Sequence, residues 1–152
     1  MKHALITALI GTSTLLASGT ASAQAKPEDV IKYRKALMVM QANSVRPLAA
    51  MAKGQRPYDK DIAIRNAAIL ELTGKMMMET VAAGSDKGAE TRAKPEIWSD
   101  AAGFKKVMDN FQAEAAKMVQ VAKTAKDVDA VRGQFAALGK SCAACHDNYR
   151  TK

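Results

Sequence analysis

The apolar residues between positions 97 and 122 recur at alternating steps of four and three, and this spacing constrains the fold more than any other feature of the chain. An α-helix turns once in about 3.6 residues, so positions spaced in this way form one continuous stripe along one face. Such a stripe is typical of helices that pack together at shallow angles. The pattern predicts a long helix that buries Ile97, Ala101, Phe104, Met108, Phe111, Ala115, Met118 and Ala122.

Three further segments show helical spacing, and turn residues separate them. The first begins at Pro27 and breaks at residues 53–57, the second follows Asp59 as its N-terminal cap and runs to about Ala82, and the last begins at Asp127. No strand pattern competes with these segments. The sequence therefore predicts an all-α fold, an antiparallel four-helix bundle. The predicted inward positions of these helices are Val30, Tyr33, Leu37, Met40, Ser44, Leu48 and Met51, then Ile62, Ile69, Leu72 and Met76, and finally Val128, Val131, Phe135, Leu138, Cys142, Cys145 and Tyr149.

The first 23 residues are predicted to be a cleaved signal peptide. Lys2 gives a positive start, residues 4–17 are uncharged and largely apolar, and Ala21-Ser22-Ala23 matches the pattern at which a signal peptidase cuts. A membrane anchor is the weaker interpretation, because spanning a bilayer takes about 20 apolar residues. We expect residues 24–152 to form one exported, periplasmic domain with no membrane span.

The segment Cys142-Ala143-Ala144-Cys145-His146 carries the chemistry of the chain. C-x-x-C-H is the attachment signature of a c-type haem, which forms a thioether bond to each cysteine and takes the histidine as an axial ligand of its iron. A redox dithiol would open a helix in a βαβ setting, and a zinc site needs about four ligands, whereas the chain has only two cysteines. The sequence therefore predicts one covalent haem c, held by Cys142 and Cys145, with His146 on the iron.

Counting histidines limits the chemistry further. The only other histidine is His3, which would leave with the signal peptide. A haem bound by two histidines of one chain and a Ser-His-Asp triad are both excluded. The sixth position of the iron is left to a methionine, another weak ligand or none. The net charge of +8 comes from scattered lysines and arginines without a basic run, so we expect no nucleic-acid partner and instead steering toward acidic proteins.

Four stretches resemble the cytochrome c′ family, the class II c-type cytochromes, and they span nearly all of residues 27–150. They are residues 32–34 (KYR), 53–59 (KGQRPYD), 94–105 (KPEIWSDAAGFK) and 142–150 (CAACHDNYR). The resemblance implies a homodimer, a proximal histidine and a distal haem face lined by the first helix. It places Met38 at that distal face, where a methionine either ligates the iron in low-spin relatives or only packs over it in high-spin members.

The resemblance also suggests residues that touch the haem. Arg34, one turn before Met38, is similar to the family arginine that pairs with a haem propionate, and the alternative is a solvated helix arginine. Arg150, one turn past His146, either covers the proximal side of the haem or caps the last carbonyls of its helix. Thr91 and Arg92 match a loop that touches the haem edge in relatives.

The expected function is that of a periplasmic haem c protein that carries single electrons, binds small gases such as NO and CO, or does both, with no substrate turnover. Its expected partners are redox proteins. The alternatives are a dedicated NO-buffering protein with a five-coordinate haem and, with less support, a haem peroxidase, for which a distal histidine is missing. A thiol–disulfide oxidoreductase is a further alternative, but haem attachment would consume both of its thiols.

Overall fold

Residues 25–152 are described in the computed structural model, and they form an antiparallel bundle of four long helices. In chain order the helices are α1 (Pro27–Ala52), α2 (Lys60–Met76), the short α3 (Glu96–Ser99), α4 (Ala101–Thr124) and α5 (Val128–Tyr149). The pairs α1–α2, α2–α4, α4–α5 and α5–α1 pack side by side, so the long helices close around one core. Between residues 25 and 152 there is no strand, only an isolated bridge between Ala93 and Arg150. The prediction of an all-α four-helix bundle is confirmed, and the predicted signal peptide lies outside the described residues.

The helices begin at the residues whose side chains favour a start. Pro27 occupies the first turn of α1, where its missing N–H is harmless. The Asp59 carboxylate accepts a hydrogen bond from the Ile62 N–H (2.9 Å) at the start of α2. The Asp127 carboxylate accepts from the Asp129 N–H (3.0 Å) at the start of α5. Each of these carboxylates satisfies a backbone donor that the first turn would otherwise leave unpaired.

Two predicted helix boundaries are wrong. The second helix does not continue to Ala82, because α2 ends at Met76 and a single 3₁₀ turn (Met77–Thr80) follows it. The third helix is divided at Asp100, whose backbone leaves the helical conformation and whose carboxylate accepts from the Gly103 N–H (3.1 Å). Because Asp100 starts a new helix, Ala101 lies in its exposed first turn rather than on the buried stripe.

The buried face of α2 also differs from the prediction. Its core positions include the small residues Ala63, Ala67 and Gly74, while Leu72 is 58% exposed. A Cβ atom on Gly74 would lie 2.6 Å from the Phe111 ring, so α2 and α4 approach closely here because Gly74 has no side chain. A search for large apolar residues misses a seam made of small ones. On α1, Met40 was predicted to face inward but is 47% exposed, because the buried face of the helix runs through Leu37, Ser44 and Leu48.

Within residues 25–152, no helix is both long enough and apolar enough to cross a bilayer.

Candidate haem site

The predicted attachment residues lie together near the C-terminal end of α5. Cys142 and Cys145 are half-buried, and both pack against the apolar core. Three residues make nearly one helical turn, so the two thiols lie on the same side of α5, and His146 follows directly. The two cysteines form no disulfide. The helix thus presents two thiols and an imidazole at the margin of the core, which is the donor set that a c-type haem needs.

Burial sets the protonation of these groups. It raises the pKa of the Cys142 thiol, and burial together with the neighbouring Cys142 raises the pKa of Cys145 to about 11. Burial also lowers the pKa of His146, and the positive charges of Arg150 and Arg92 lower it further. Both thiols therefore stay protonated and are poor nucleophiles for thiol–disulfide exchange, which argues against an oxidoreductase of that kind. The neutral imidazole keeps the nitrogen lone pair that a metal ligand requires.

The contact between α1 and α5 is where the bundle is most open. Of the four side-by-side pairs, α1 and α5 pack least extensively. Met38 lies half-buried on α1 against the core, and Gln41 follows one turn later. The side-chain amide nitrogen of Gln41 is buried without a hydrogen-bond partner in the described part of the chain. A loosely packed helix pair with an unsatisfied buried donor, beside two inward thiols, fits a large prosthetic group between these helices.

Arg34 is the most tightly held charged side chain near this region. It is 7% exposed, and its guanidinium donates to the carbonyl oxygens of Thr80 and Ser85, both at 2.7 Å. Longer contacts of 3.4 Å reach the hydroxyl oxygens of Ser85 and Thr91. The guanidinium carbon lies 5.3 Å from the centroid of the Trp98 ring, within the range of a cation–π interaction. Arg34 is therefore not a solvated helix arginine, and it joins α1 to the loop between α2 and α3.

The role that the sequence suggested for Arg34 stays a prediction. Its two short bonds go to backbone carbonyls of this chain. The two 3.4 Å contacts are weak by hydrogen-bond criteria, and a propionate could replace them without breaking the short bonds. The structure also brings Thr91 to Arg34, so these two predicted haem contacts belong to one cluster.

The other two predicted arginines lie at the C-terminal end of α5. Arg92 donates from Nη2 to the carbonyl oxygen of Thr151 (2.7 Å), and the Thr151 N–H donates back to the Arg92 carbonyl (2.9 Å). Arg150 is exposed, and its guanidinium has no hydrogen-bond or ion-pair partner among residues 25–152. It therefore does not cap the carbonyls of α5 in this structure. A cavity of about 380 Å³ opens here, lined by Lys94, His146, Asp147, Arg150, Thr151 and Lys152.

A polar link that the sequence reasoning missed fixes the end of α5. The Tyr149 hydroxyl donates to the Asp100 carboxylate (2.8 Å), and the Tyr149 ring packs edge-to-face on Phe104 at 5.2 Å. The position of Gly103 leaves room for this pair, because a Cβ atom there would lie 2.1 Å from an Asp100 oxygen and 2.6 Å from the Tyr149 hydroxyl. Asp100 thereby caps α4 and holds the helix that carries His146.

Comparison with known proteins shows which family this chain is similar to. The sequence profile of the family described as Cytochrome C' matches residues 29–150. The chain is 38% identical over 127 residues to cytochrome c' of Rubrivivax gelatinosus, an alignment that covers 84% of this chain and 98% of that protein.

Solved structures are also similar to this chain. The crystal structure of cytochrome c' from Rubrivivax gelatinosus has a TM-score of 0.78 to this chain at 37% identity, covering 83% of this chain and 98% of that one. A nitric oxide complex of a variant of cytochrome c prime from Alcaligenes xylosoxidans has a TM-score of 0.76 at 37% identity, covering 84% of this chain and 98% of that one.

Proposed function

The chain belongs to the cytochrome c′ family, and on that premise we propose that it is a periplasmic homodimer that carries single electrons and binds small gases, without turning over a substrate. The chain is a haem c protein, as its family and its two cysteines establish. The single observation that carries the proposal is the set formed by Cys142, Cys145 and His146 near the end of α5, with both thiols packed against the apolar core. When bound, a haem supplies an iron that gains and loses one electron and can take a small gas as a ligand.

The residues of the chain would hold this group from two sides. Cys142 and Cys145 would provide the thioether bonds, and the neutral His146 imidazole would provide the proximal ligand. Met38 would border the opposite side from α1, and Arg34 would offer a fixed positive charge to a carboxylate. Half-burial of the attachment residues excludes much of the water from the site, which favours redox chemistry without side reactions.

Dedicated gas binding is a second candidate function, favoured by one observation. A relative of 37% identity has been solved as a nitric oxide complex. This function requires that Met38 pack over the iron without ligating it, because a bound thioether would occupy the gas position. A haem peroxidase has less support, since His146 is the only histidine among residues 25–152 and no second imidazole could serve as an acid–base group.

Absorption spectra of the purified holoprotein, oxidised and reduced, with and without carbon monoxide, test the proposal. If Met38 only packs over the iron, the wild type is high-spin and binds the gas, and Met38→Ala only speeds gas entry. If Met38 ligates the iron, the wild type is low-spin and binds the gas poorly, and Met38→Ala makes it high-spin. The second result would assign the protein to electron transfer alone, and a protein that changes redox state under no condition would contradict the proposal.

Exposed apolar residues on α1 and α2 support the homodimer. Val39 is 60% exposed, Met40 47% and Leu72 58%. α1 and α2 are antiparallel. At one end of the pair the Asp59 N–H contacts the Met51 sulfur, and at the other end the Tyr33 hydroxyl contacts Glu79. All three apolar residues therefore lie midway along the helix pair, where a second copy would bury them.

The homodimer is tested by changing one of these residues. Leu72→Glu should shift the holoprotein from dimer to monomer in analytical ultracentrifugation, because it places a charge in the buried contact. Ala136→Glu, an exposed change on α5 that adds the same negative charge, is the matched control and should leave the dimer intact. A dimer that survives Leu72→Glu would place the contact elsewhere.

A further inference from the structure

The cavity at the end of α5 has a cationic border. Its lining includes Lys94, Arg150 and Lys152, and Asp147 is its single acidic residue. Arg92 adds a fourth positive charge, since its guanidinium donates to the carbonyl of Thr151, which also lines the cavity. We call Arg92, Lys94, Arg150 and Lys152 the cationic rim.

The cationic rim differs in charge from the lining of the other cavity. A second cavity, of about 290 Å³ beside the start of α1, is lined by the acids Glu28, Asp29 and Glu90 together with Lys32 and Lys35. Three acids outnumber two lysines there, whereas at the rim four cations face one acid. The rim therefore carries a net charge of +3 (4 − 1) at the end of the bundle that carries His146.

The charges of the rim are available to a partner. The ion pairs of residues 25–152 are Lys75–Glu71, Lys105–Asp109, Lys117–Glu114 and Arg132–Asp129, and none of them includes a residue of the rim. Arg92, Arg150 and Lys152 are exposed, and Lys94 is half-buried. Bringing an acidic surface onto these cations breaks no existing ion pair, so the attraction is not offset by such a loss.

Backbone contacts hold the rim in place. The Lys94 N–H donates to the Tyr149 carbonyl (3.0 Å), and the Thr151 N–H donates to the Arg92 carbonyl (2.9 Å). The Lys94 ammonium also donates to the Asn148 carbonyl (3.2 Å). Two separate segments of the chain are thereby tied into one charged surface, and less freedom is lost when a partner binds it.

We propose that the cationic rim is the docking surface for an acidic redox protein. A partner on the rim lies directly over the cavity that His146 lines, and so over the residue assigned to the iron. Complementary charge mainly raises the rate of encounter, and it suits a carrier that must bind and leave quickly. The inference rests on the proposed function as an electron carrier.

The test measures reduction of the holoprotein by a reduced acidic plant-type ferredoxin in a stopped-flow spectrometer. The wild-type rate should fall at least about tenfold between low salt and roughly 0.5 M salt, because salt screens the attraction. Lys152→Glu should lower the low-salt rate about threefold or more. Lys94→Glu should act in the same direction, and Lys152→Glu keeps the test valid if loss of the Lys94 hydrogen bonds disturbs folding.

Lys126→Glu is the matched control. Lys126 is an exposed lysine just before α5, and the change alters the net charge by the same amount. It lies about 20 residues of helix from His146, which is roughly 30 Å and well beyond the Debye length of about 8–10 Å at moderate salt. Equal effects of Lys126→Glu and Lys152→Glu, or a rate that does not depend on salt, would overturn the proposal.

Two further measurements separate the possible failures. Neutral reduced lumiflavin should reduce the wild type and the three variants at the same rate. Failure of this reaction as well would overturn the proposed function and the inference together. Vesicles of phosphatidylglycerol test a membrane partner. Binding to these vesicles that Lys152→Glu abolishes, with ferredoxin rates equal in all variants, would overturn the proposal in favour of a lipid surface.

Discussion

Arg34 and Arg150 stand at the same sequence distance from the candidate iron ligands, but Arg34 is buried and Arg150 is exposed. Arg34 precedes Met38 by four residues, and Arg150 follows His146 by four. Arg34 is buried and donates to two backbone carbonyls at 2.7 Å, with Trp98 against its guanidinium. Arg150 is exposed, and its guanidinium has no partner among residues 25–152.

The difference comes from the loop that each arginine meets. The last residue of the 3₁₀ turn and the segment that follows it meet Arg34, whose guanidinium donates to the carbonyls of Thr80 and Ser85, so its charge stabilises the fold. At the other end, residues 92–94 pair with the backbone of residues 149–151 and leave Arg150 facing solvent. Equal spacing from a ligand therefore does not give equal roles. Burial and the acceptors supplied by distant segments decide them.

Removal of the haem should have the largest effect on stability, and it should affect the end of α5 more than the surroundings of Arg34. In the double variant Cys142→Ala/Cys145→Ala, made without attached haem, the chain should lose more than about 5 kcal/mol of stability, because deleting even one buried aromatic side chain costs about 3–5 kcal/mol. Hydrogen exchange should show the greatest loss of protection at the end of α5. The amides around Thr80 and Ser85 should lose least, since Arg34 satisfies their carbonyls without the haem.

Circular dichroism melting of the same variant provides the second readout. The holoprotein should unfold in one sharp transition and the haem-free chain in a broad one. A haem-free chain that melts as sharply as the holoprotein would show that the haem lies outside the core. Equal loss of protection at Arg34 and at the end of α5 would show that the haem stabilises both regions to the same extent.

The next largest effect is expected from the two arginines themselves. Arg34→Met should lower the free energy of unfolding of the holoprotein by about 3 kcal/mol, because the buried carbonyls of Thr80 and Ser85 lose a charged donor. Arg150→Met is the matched control and should change it by less than about 0.5 kcal/mol, as an exposed side chain without a partner. Urea denaturation monitored by Trp98 fluorescence and circular dichroism would measure both values.

Arg34→Lys tests whether the charge of Arg34 or the shape of its guanidinium stabilises the fold. A lysine keeps the charge but offers a single ammonium in place of a planar fork, and it should recover only part of the loss. Equal stabilities of Arg34→Met and Arg150→Met would show that the short bonds to the loop contribute nothing to folding.

The sequence predicted the architecture well because the bundle obeys simple spacing. Asp59 and Asp127 cap their helices as predicted, and Phe104, Met108, Phe111 and Met118 are buried as the stripe requires. The errors have a common cause. The seam of α2 depends on small residues such as Gly74, and Asp100 ends one helix and begins another, so a pattern of large apolar residues describes neither correctly.

The candidate site was predicted in part. The positions of Cys142, Cys145 and His146 follow from the motif and the helix that carries it. The partners of Arg34 could not be predicted, because they are backbone carbonyls from a loop about fifty residues away, which no local pattern encodes. The Tyr149–Asp100 link was missed for the same reason, since it joins residues that only the packing of α4 and α5 brings together.

The smallest effect is expected from Tyr149→Phe, and it depends on pH. The hydrogen bond to Asp100, and then burial, raises the pKa of Tyr149 in the folded protein. The neutral phenol therefore stabilises the fold below the pKa of the unfolded phenol, about 10, and this contribution is lost as the pH rises through the higher folded value. The free energy of unfolding of the wild type should consequently fall above about pH 10. Tyr149→Phe should be slightly less stable at neutral pH and should show a smaller fall. Part of the fall remains because burial also raises the pKa values of Tyr33 and Tyr58. Arg150→Met should keep the full fall, since Arg150 is not among the groups that shift the pKa of Tyr149.

Urea denaturation between pH 7 and 11 would measure the free energy of unfolding of all three proteins. Identical alkaline profiles for the wild type and Tyr149→Phe would show that the link to Asp100 does not stabilise the end of α5. The end of α5 would then be held by the backbone pairing of residues 92–94 with 149–151 and by the ring packing on Phe104.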